Sequence, residues 1–587
     1  MKNSSPIKHA AVLGAGVMGA QLSGLFANKG IKTYLFDISI ELATSGKDRL
    51  KILKPAPLEN PKNIDLIIPC CYDTDIEKII EADWILEAVA ENLDIKLKVY
   101  DMLLPFLKDS AILTTNTSGI TLKELSQNFS LEIKNRFMVT HFFNPPRYMR
   151  LLELVKDEET SPKTYNIISE FGNDVLGKGI VPAKDTPNFI GNRVGVFGLM
   201  STINIAMKMG MNIETVDALT GALCGRPKSA TFRTADVIGL DVLKNVAMTT
   251  YQKSKHDESI EKFNIPEVME LLIEKGNLGQ KTGAGFYKKD VNGNILVLDL
   301  DNKNYRPIEK IKLGLDNEII QHGAIDQRIN ALITLDSKNG DFFWEVLSEM
   351  LLYSANRIPE ISDITENIDN AMKWGFGWEI GPFEVLDAIG VDYFIERCKT
   401  DGMTIPNWIL SMQKQNNKSI YILLDGKKYF YDINKKDYVA YNYHKKYIDF
   451  NLFTSKNNII KKNWSASMID LDDGVLGVEL HSILKPDFNP LDGSIISTLE
   501  SAVKWVSNNN YKGIVISGDG PNFSAGANLN LILNAAYRKE WDLIDKMTKT
   551  MQDTFQSLRF APFPVVAAPF GFVLGGGYEI CGSCDRI

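Results

Sequence analysis

The residues best suited to move a proton lie in one short run. Phe137-Met-Val-Thr-His141 reads as an apolar strand ending in an imidazole, and Asn144-Pro-Pro reads as a turn. Leu151-Leu-Glu153-Leu-Val then reads as a second apolar strand with a carboxylate at its centre. A turn of this kind can bring the two side chains together. An imidazole buried beside a carboxylate keeps one tautomer and a stabilised cationic form, as a general base for an alcohol requires. A histidine near a strand end can equally be structural. A glutamate inside an apolar strand is harder to dismiss, because burying an unpaired carboxylate is strongly unfavourable.

The second chemistry-bearing group is Gly14-Ala-Gly16-Val-Met-Gly19, with an acid, Asp37, some twenty residues on. The first glycine permits a tight turn, the second lets backbone approach a pyrophosphate, and the third lets a helix pack on its strand. Free N–H groups at the helix start then hold the diphosphate. Asp37 can accept hydrogen bonds from a ribose 2′-hydroxyl and repel a 2′-phosphate, which selects NAD over NADP.

These groups need a scaffold, and the surrounding pattern supplies one. Ile7–Leu13, Thr33–Phe36, Asp65–Ile68, Trp84–Val89 and Ala111–Thr115 read as strands, separated by helical patterns such as Met18–Asn28 and Leu93–Leu107. The alternation predicts an α/β fold with a doubly wound, mainly parallel sheet. A chain of 587 residues must hold several domains. A formal net charge of -8 argues against a nucleic-acid binder. No apolar run is long enough to span a bilayer, and the glycine-studded stretch Ala10–Ala20 is a strand entering the nucleotide loop rather than a signal segment. Six cysteines make no disulfide framework, so a cytoplasmic location is expected. Cys581-Gly-Ser-Cys584 lacks a second pair, and no metal site is expected.

The strings HFFNPP and LLELV, with TNTSGI upstream and KDTPNFIGNR downstream, resemble the 3-hydroxyacyl-CoA dehydrogenase family. KPAPL, GRPKSATFRTADVIGLD, GQKTGAGFYKK and KWGFGWEIGPFE resemble a narrower group, the fused dehydrogenase/enoyl-CoA hydratases of prokaryotic fatty-acid β-oxidation with the dehydrogenase first. The resemblance implies oxidation of a (3S)-3-hydroxyacyl coenzyme A thioester by NAD, with His141 as base and Glu153 orienting it. It implies that Ser118, Asn192 and Asn144 are substrate-site polar groups, and that Glu91, Lys96 and Lys281 contact the cofactor. A homo-oligomer or a thiolase partner is compatible with it. One alternative is a β-hydroxyacid dehydrogenase acting on free acids, although such enzymes generally use a lysine base. Another is a catalytically silent NAD-binding protein on the same scaffold.

Phe232-x-x-x-Asp236-x-Ile-Gly-x-Asp241 recurs as Phe383-x-x-x-Asp387-x-Ile-Gly-x-Asp392, preceded by Val216-Asp217 and Ile368-Asp369. This predicts a duplicated helical unit, and the resemblance implies a pseudo-dimer within one chain. The second copy is expected to lie away from the catalytic strings, with Trp374, Phe376 and Trp378 as core. Residues 290–335 and 400–460 read as connecting segments, the second with a short hairpin near Lys427–Tyr431. Farther on, Phe523-Ser-Ala-Gly526-Ala527 and Gly575-Gly576-Gly577-Tyr-Glu579 resemble the oxyanion loops of the enoyl-CoA hydratase (crotonase) family. That likeness implies that N–H groups of Ala527 and Gly576 hold a thioester oxygen and that Glu579 handles water. The family's second glutamate would fall beyond Ile587, so an inactive hydratase fragment exposing apolar surface is expected. The expected domains are a Rossmann domain over 1–183, a first helical domain over 184–289 and a linker with a second helical domain over 290–399. A linker over 400–460 and an incomplete crotonase-like domain over 461–587 complete the set.

Overall fold

A computed structural model describes residues 7–441, 448–482, 485, 488–518 and 520–587. Residues 1–6 and 442–447, which belong to the expected first domain and second linker, lie outside the described residues. The chain divides into two compact units, the first built from residues up to Ile420 with Tyr431–Asp437, the second from Tyr421–Phe430 with Tyr438–Ile587.

The first unit starts with an eight-stranded sheet. Its strands are β1 (His9–Leu13), β2 (Lys32–Asp37), β3 (Ile67–Cys71), β4 (Trp84–Glu87), β5 (Ile112–Thr115), β6 (Phe137–Phe142), β7 (Leu151–Val155) and β8 (Gly179–Ala183). They lie in the order β3-β2-β1-β4-β5-β6-β7-β8. All neighbours are parallel except β6 and β7. Near-continuous apolar strands suit a sheet covered on both faces, and separate clusters around Trp84 and Phe26, and around Phe36 and Tyr100, form the two layers. β3 begins later than the sequence suggests. Pro61–Leu66 winds into a 3-10 turn capped by the Asn60 side chain, which takes Asp65 and Leu66 out of the strand.

Two helical copies follow. The first comprises helices Gly191–Lys208, Ile213–Leu219, Phe232–Ile238, Leu240–Lys253 and Glu267–Glu274, and the second comprises Lys338–Asn356, Thr365–Gly375, Pro382–Ile389, Val391–Thr400 and Asn407–Lys414. Equivalent carboxylates do equivalent work. Asp217 accepts the N–H groups of Thr231 and Phe232 at 3.0 and 2.8 Å, and Asp369 accepts those of Phe383 and Glu384 at 2.8 and 3.1 Å. Asp236 accepts from Phe286 and Tyr287, and Asp387 from Ile420. Each anchor is followed along the chain by a three-stranded sheet, one antiparallel and built of Tyr287–Lys289, Ile295–Leu298 and Tyr305–Pro307, the other built of Tyr421–Leu424, Lys427–Asp432 and Asp437–Ala440, most of which belongs to the second unit. The duplication therefore extends into segments that read as connectors, because strands of three or four residues carry too little periodicity to register.

The expectation that the second copy lies apart from the catalytic strings is overturned. Trp374 fills the space over Gly179 of β8, where an added Cβ would come within 2.2 Å of its ring. Phe376 does the same over Gly195, at 2.1 Å. Arg226 of the first copy lies over the ring of Trp378 in the second at 4.3 Å, and Glu379 N–H donates to Gly225 at 2.6 Å. All three aromatics are half-buried rather than core. Deeper still, Arg193 is wholly buried and donates to Tyr353 (2.6 Å), Ser254 (2.8 Å), Asp257 (2.8 Å) and Glu360 (3.0 Å). Tyr353 also stacks on Phe197 with ring centroids 3.7 Å apart.

The second unit is built on a five-stranded sheet of Ile459–Lys462, Ala466–Asp470, Val475–Leu480, Gly513–Ser517 and Val565–Ala567. The turn at Asp472-Asp473-Gly474 takes left-handed backbone at all three residues. Asp492 caps helix Gly493–Asn508 by accepting from Ser494 and Ile495. Leu529, Leu531, Leu533, Tyr537 and Trp541 are exposed on and beside helix Leu529–Tyr537.

Arg193→Met should destabilise the first unit by about 1–3 kcal/mol, because it removes the buried donor shared by Tyr353, Ser254, Asp257 and Glu360 while Arg357 still pairs with Asp257 at 3.2 Å; urea unfolding checks this. Burial pushes the Asp236 carboxyl up to about 6, against the N–H groups of Tyr287 and Phe286. A value raised on folding contributes stability that is full below about 3.9 and is lost as pH rises through the folded value. The stability advantage of wild type over Asp236→Asn should therefore shrink between about pH 4 and 6 and stay flat above, as read from urea midpoints across that range.

Candidate active site

The antiparallel pairing of β6 with β7 sets His141 directly opposite Glu153, so both side chains leave the same face of the sheet. His141 Nδ1 lies 2.7 Å from Glu153 Oε2. The other oxygen, Oε1, accepts the N–H groups of Ile190 at 3.0 Å and Gly191 at 2.8 Å, at the start of helix Gly191–Lys208. A fully buried carboxylate thus has both oxygens engaged, and the helix dipole favours its charge. With Nδ1–H donating to Glu153, the Nε2 lone pair of His141 is left to accept a proton. The rings of Phe143 and Phe189 flank the imidazole with centroids at 4.8 and 5.5 Å. Lys178, buried, donates to the carbonyls of Met149 (2.7 Å) and Pro146 and so holds the turn between the two strands. Its burial pushes the ammonium down to about 8.

The glycine turn is built for close approach. Gly14 has φ +98°, and a Cβ there would meet Ala88 O at 2.8 Å; one on Gly19 would meet Gly14 O at 1.8 Å. Gly16 opens onto free space, and the helix Val17–Asn28 begins directly after it. Asp37, at the end of β2, accepts Ala15 N–H at 2.7 Å, which fixes its carboxylate beside the turn. Open space at Gly16, a helix N-terminus and an adjoining carboxylate fit a dinucleotide.

Ser118 follows β5, and its N–H is held by Glu91 Oε1 at 3.0 Å. Asn192 sits in the first turn of the helix that holds Glu153. Neither the Ser118 hydroxyl nor the Asn192 amide is engaged by another side chain among the described residues. Asn144 is exposed and accepts from Gln21 at 3.0 Å, which links the post-histidine turn to the nucleotide-loop helix. Lys96 points inward. It pairs with Glu87 at 2.8 Å and with Glu91 at 3.2 Å. Glu91 keeps an exposed side. Burial pushes its carboxyl up, but Lys96, Thr117 and the Gly119 and Ser118 N–H groups outweigh this and hold it below the usual range. Lys281 is exposed and pairs with Asp241 at 2.5 Å.

Three supporting groups escaped the sequence reading. Glu87, fully buried at the end of β4, accepts from Lys96, Tyr100 and Thr115. Asn116 accepts Phe142 N–H at 2.9 Å and fixes the end of β6. Asn188 takes a left-handed backbone that aims the following N–H groups at Glu153, and its amide donates to Val246 O and Thr250. A signal existed for Glu87: like Glu153, it is a carboxylate in an apolar strand.

In the second unit Gly526 has φ +95°, and a Cβ there would lie 3.3 Å from Gly576 N, so the two expected oxyanion loops adjoin. The N–H groups of Ala527 and Gly576 have no backbone acceptor among the described residues. Glu579 is exposed, as are Phe572, Leu574 and Tyr578. Cys581 and Cys584 are free thiols. Among the described residues no cluster of ligating side chains could hold a metal, and no helix is long and apolar enough to cross a membrane.

A Rossmann sheet with this turn and acid defines an NAD-dependent oxidoreductase. Family models for the 3-hydroxyacyl-CoA dehydrogenase NAD binding domain and C-terminal domain match residues 9–186 and 189–289, and the enoyl-CoA hydratase/isomerase model matches 472–587. A protein of Bacillus subtilis (strain 168) named as a 3-hydroxyacyl-CoA dehydrogenase is 40% identical, over 99% of this chain and 75% of its own. A protein of Rickettsia prowazekii (strain Madrid E) named for a fatty acid oxidation complex trifunctional enzyme is 30% identical over 98% of this chain and 76% of its own. The crystal structure of 3-hydroxybutyryl-CoA dehydrogenase from Escherichia coli K12 superposes with a TM-score of 0.53, covering 70% of this chain and 98% of that one. At 20% identity it speaks for the fold. The chain belongs to the 3-hydroxyacyl-CoA dehydrogenase family: it is an NAD-dependent 3-hydroxyacyl-CoA dehydrogenase of fatty acid oxidation, followed by an enoyl-CoA hydratase-type region.

Glu153→Gln, which preserves shape but can present its amide to Nδ1 and favour the other tautomer, should lower kcat roughly 10²–10⁴-fold and leave KM for NAD nearly unchanged. Steady-state NADH formation checks both.

Proposed function

We propose that His141 is the general base of the dehydrogenase and that Glu153 is its positioning partner. The observation that carries this reading is the continuous set of hydrogen bonds from His141 Nδ1 through Glu153 to the N-terminus of helix Gly191–Lys208. Bound NAD supplies the hydride acceptor. The 3-hydroxyl of a (3S)-3-hydroxyacyl-CoA lies against Nε2 and gives up its proton there as hydride leaves C3. Glu153 balances the positive charge that the ring acquires. Ser118 and Asn192, with their polar atoms free, hold the hydroxyl and thioester oxygens, and Asn144 orders the mouth of the site. Glu91 and Lys281 face the cofactor from the open side, and Lys96 acts through Glu91.

The same reading assigns 1–183 to the NAD-binding domain and 184–289 and 290–399 to the two helical copies, with the first copy running on through its small sheet to Pro307. The second copy likewise runs past 399 through helix Asn407–Lys414, and the rest of 400–460 connects to the hydratase-like part, 461–587. We read that part as inactive. Its oxyanion N–H groups are available, yet Glu579 and the adjoining Phe572, Leu574 and Tyr578 stand in solvent, whereas hydration through an enolate needs a closed site that controls its water.

Purified protein with NAD and (3S)-3-hydroxybutyryl-CoA should form NADH, and His141→Gln should lose about 10²–10⁴-fold in kcat while still binding NAD. Crotonyl-CoA in place of the hydroxyacyl substrate should give none. NADH from crotonyl-CoA would overturn the inactive-hydratase reading. An undiminished His141→Gln would overturn the base assignment.

A further inference from the structure

The small sheet that follows the first helical copy sorts its side chains by strand register. In its antiparallel pairings Leu296 lies opposite Lys288 and Leu298 opposite Tyr305, so these four share one face. That face bounds a cavity of about 310 Å³, closed on the other side by Leu271 and Leu272 of helix Glu267–Glu274 and by Lys275 just after it. Buried Leu272 and Leu298, with half-buried Leu271 and Leu296, make its wall apolar. Three cations, Lys275, Lys288 and Lys303, also line it, and no carboxylate does among the described residues. Lys303 is committed to Glu267 at 2.6 Å. Lys288 lies 4.1 Å from the centre of the Tyr305 ring, and neither it nor Lys275 has an acidic partner among the described residues. Lysine stems often lie along apolar surface, but stems that filled this space would leave no cavity. In a chain of net charge -8, an apolar recess with two unpaired ammonium groups is a local reversal of sign.

We propose that this recess binds a medium-chain aliphatic carboxylate, its tail on the leucines and its head between Lys275 and Lys288. The volume is at the small end for ligand pockets, which suits one short chain rather than a nucleotide or a whole coenzyme A thioester. The tail gains affinity by leaving water, about fourfold for each methylene buried. The head gains charge-assisted hydrogen bonds from ammonium groups that have no other anion to serve. A neutral chain meets the first requirement alone, and a short acid meets the second alone. Hydrolysis of an acyl thioester releases a carboxylate of this class, so the ligand shares its hydrocarbon with the substrates of the dehydrogenase.

The test is calorimetric titration of the full chain with octanoate, hexanoate and 1-octanol. Octanoate should bind wild type at a single site. Hexanoate, two methylenes shorter, should bind roughly tenfold more weakly, and uncharged 1-octanol at least about tenfold more weakly. Lys288→Glu should weaken octanoate binding about tenfold or more, and Lys275→Glu in the same direction. Lys275 is exposed, so its substitution leaves the fold intact. Both variants should keep kcat/KM for 3-hydroxybutyryl-CoA within about twofold of wild type, which shows that each is folded. Absence of octanoate binding to wild type at millimolar concentration would overturn the proposal. So would octanoate affinity within about twofold of wild type in both variants, because the carboxylate would then sit elsewhere, as at the dehydrogenase site.

Discussion

A single buried carboxylate organises the dehydrogenase unit. Glu153 sits in the middle of a fully covered strand, where an ionised group is tolerated only if its oxygens are satisfied. One oxygen requires an imidazole directly across the hairpin, which fixes the register of β6 against β7. The other requires two N–H groups, so a helix must begin at that point. The chain meets the second requirement with left-handed backbone at Asn188 and Phe189, a conformation that costs about 1–3 kcal/mol per non-glycine residue. Side-chain bonds from Asn188 to helix Leu240–Lys253 hold it there. Sheet, imidazole and helical region are thereby locked by one side chain.

The nucleotide end is tied to the same centre through polar groups rather than apolar packing. Glu87 gathers Lys96, Tyr100 and Thr115, Lys96 passes the contact to Glu91, and Glu91 orders the Thr117–Gly119 turn that presents Ser118. Gln21 reaches from the first helix to Asn144. The buried part of this network, Glu87 with Lys96, is stable only when every member is satisfied, and through it the Ser118 turn is held to the end of β4.

Much of this was legible before any coordinates. The glycine turn, Asp37 and the strand alternation depend on local spacing, and a glutamate in an apolar strand announces an unusual partner. The rest depends on contacts that spacing does not encode. β3 is displaced because a proline and an asparagine cap wind the preceding residues. The small sheets after each helical copy are too short for periodicity. Lys96, a cofactor contact by resemblance, is buried against Glu87, whose own signal lay in the same kind of apolar strand as Glu153. Phe376 and Trp374 read as core because nothing in the second copy's sequence reveals that Gly179 and Gly195, in distant segments, leave gaps of their shape.

The pairing of Arg226 with Trp378 has an evolutionary meaning. Each follows a left-handed glycine and precedes the carboxylate-capped helix of its own copy, so the two are pseudo-equivalent positions facing one another. Across the axis of a two-fold homodimer a residue meets its own type, and an arginine there would confront a second guanidinium. Covalent fusion of the copies lifts that identity rule. One half can mutate to a cation and the other to an indole, giving a heterotypic contact that no gene encoding a single copy could specify at its own axis.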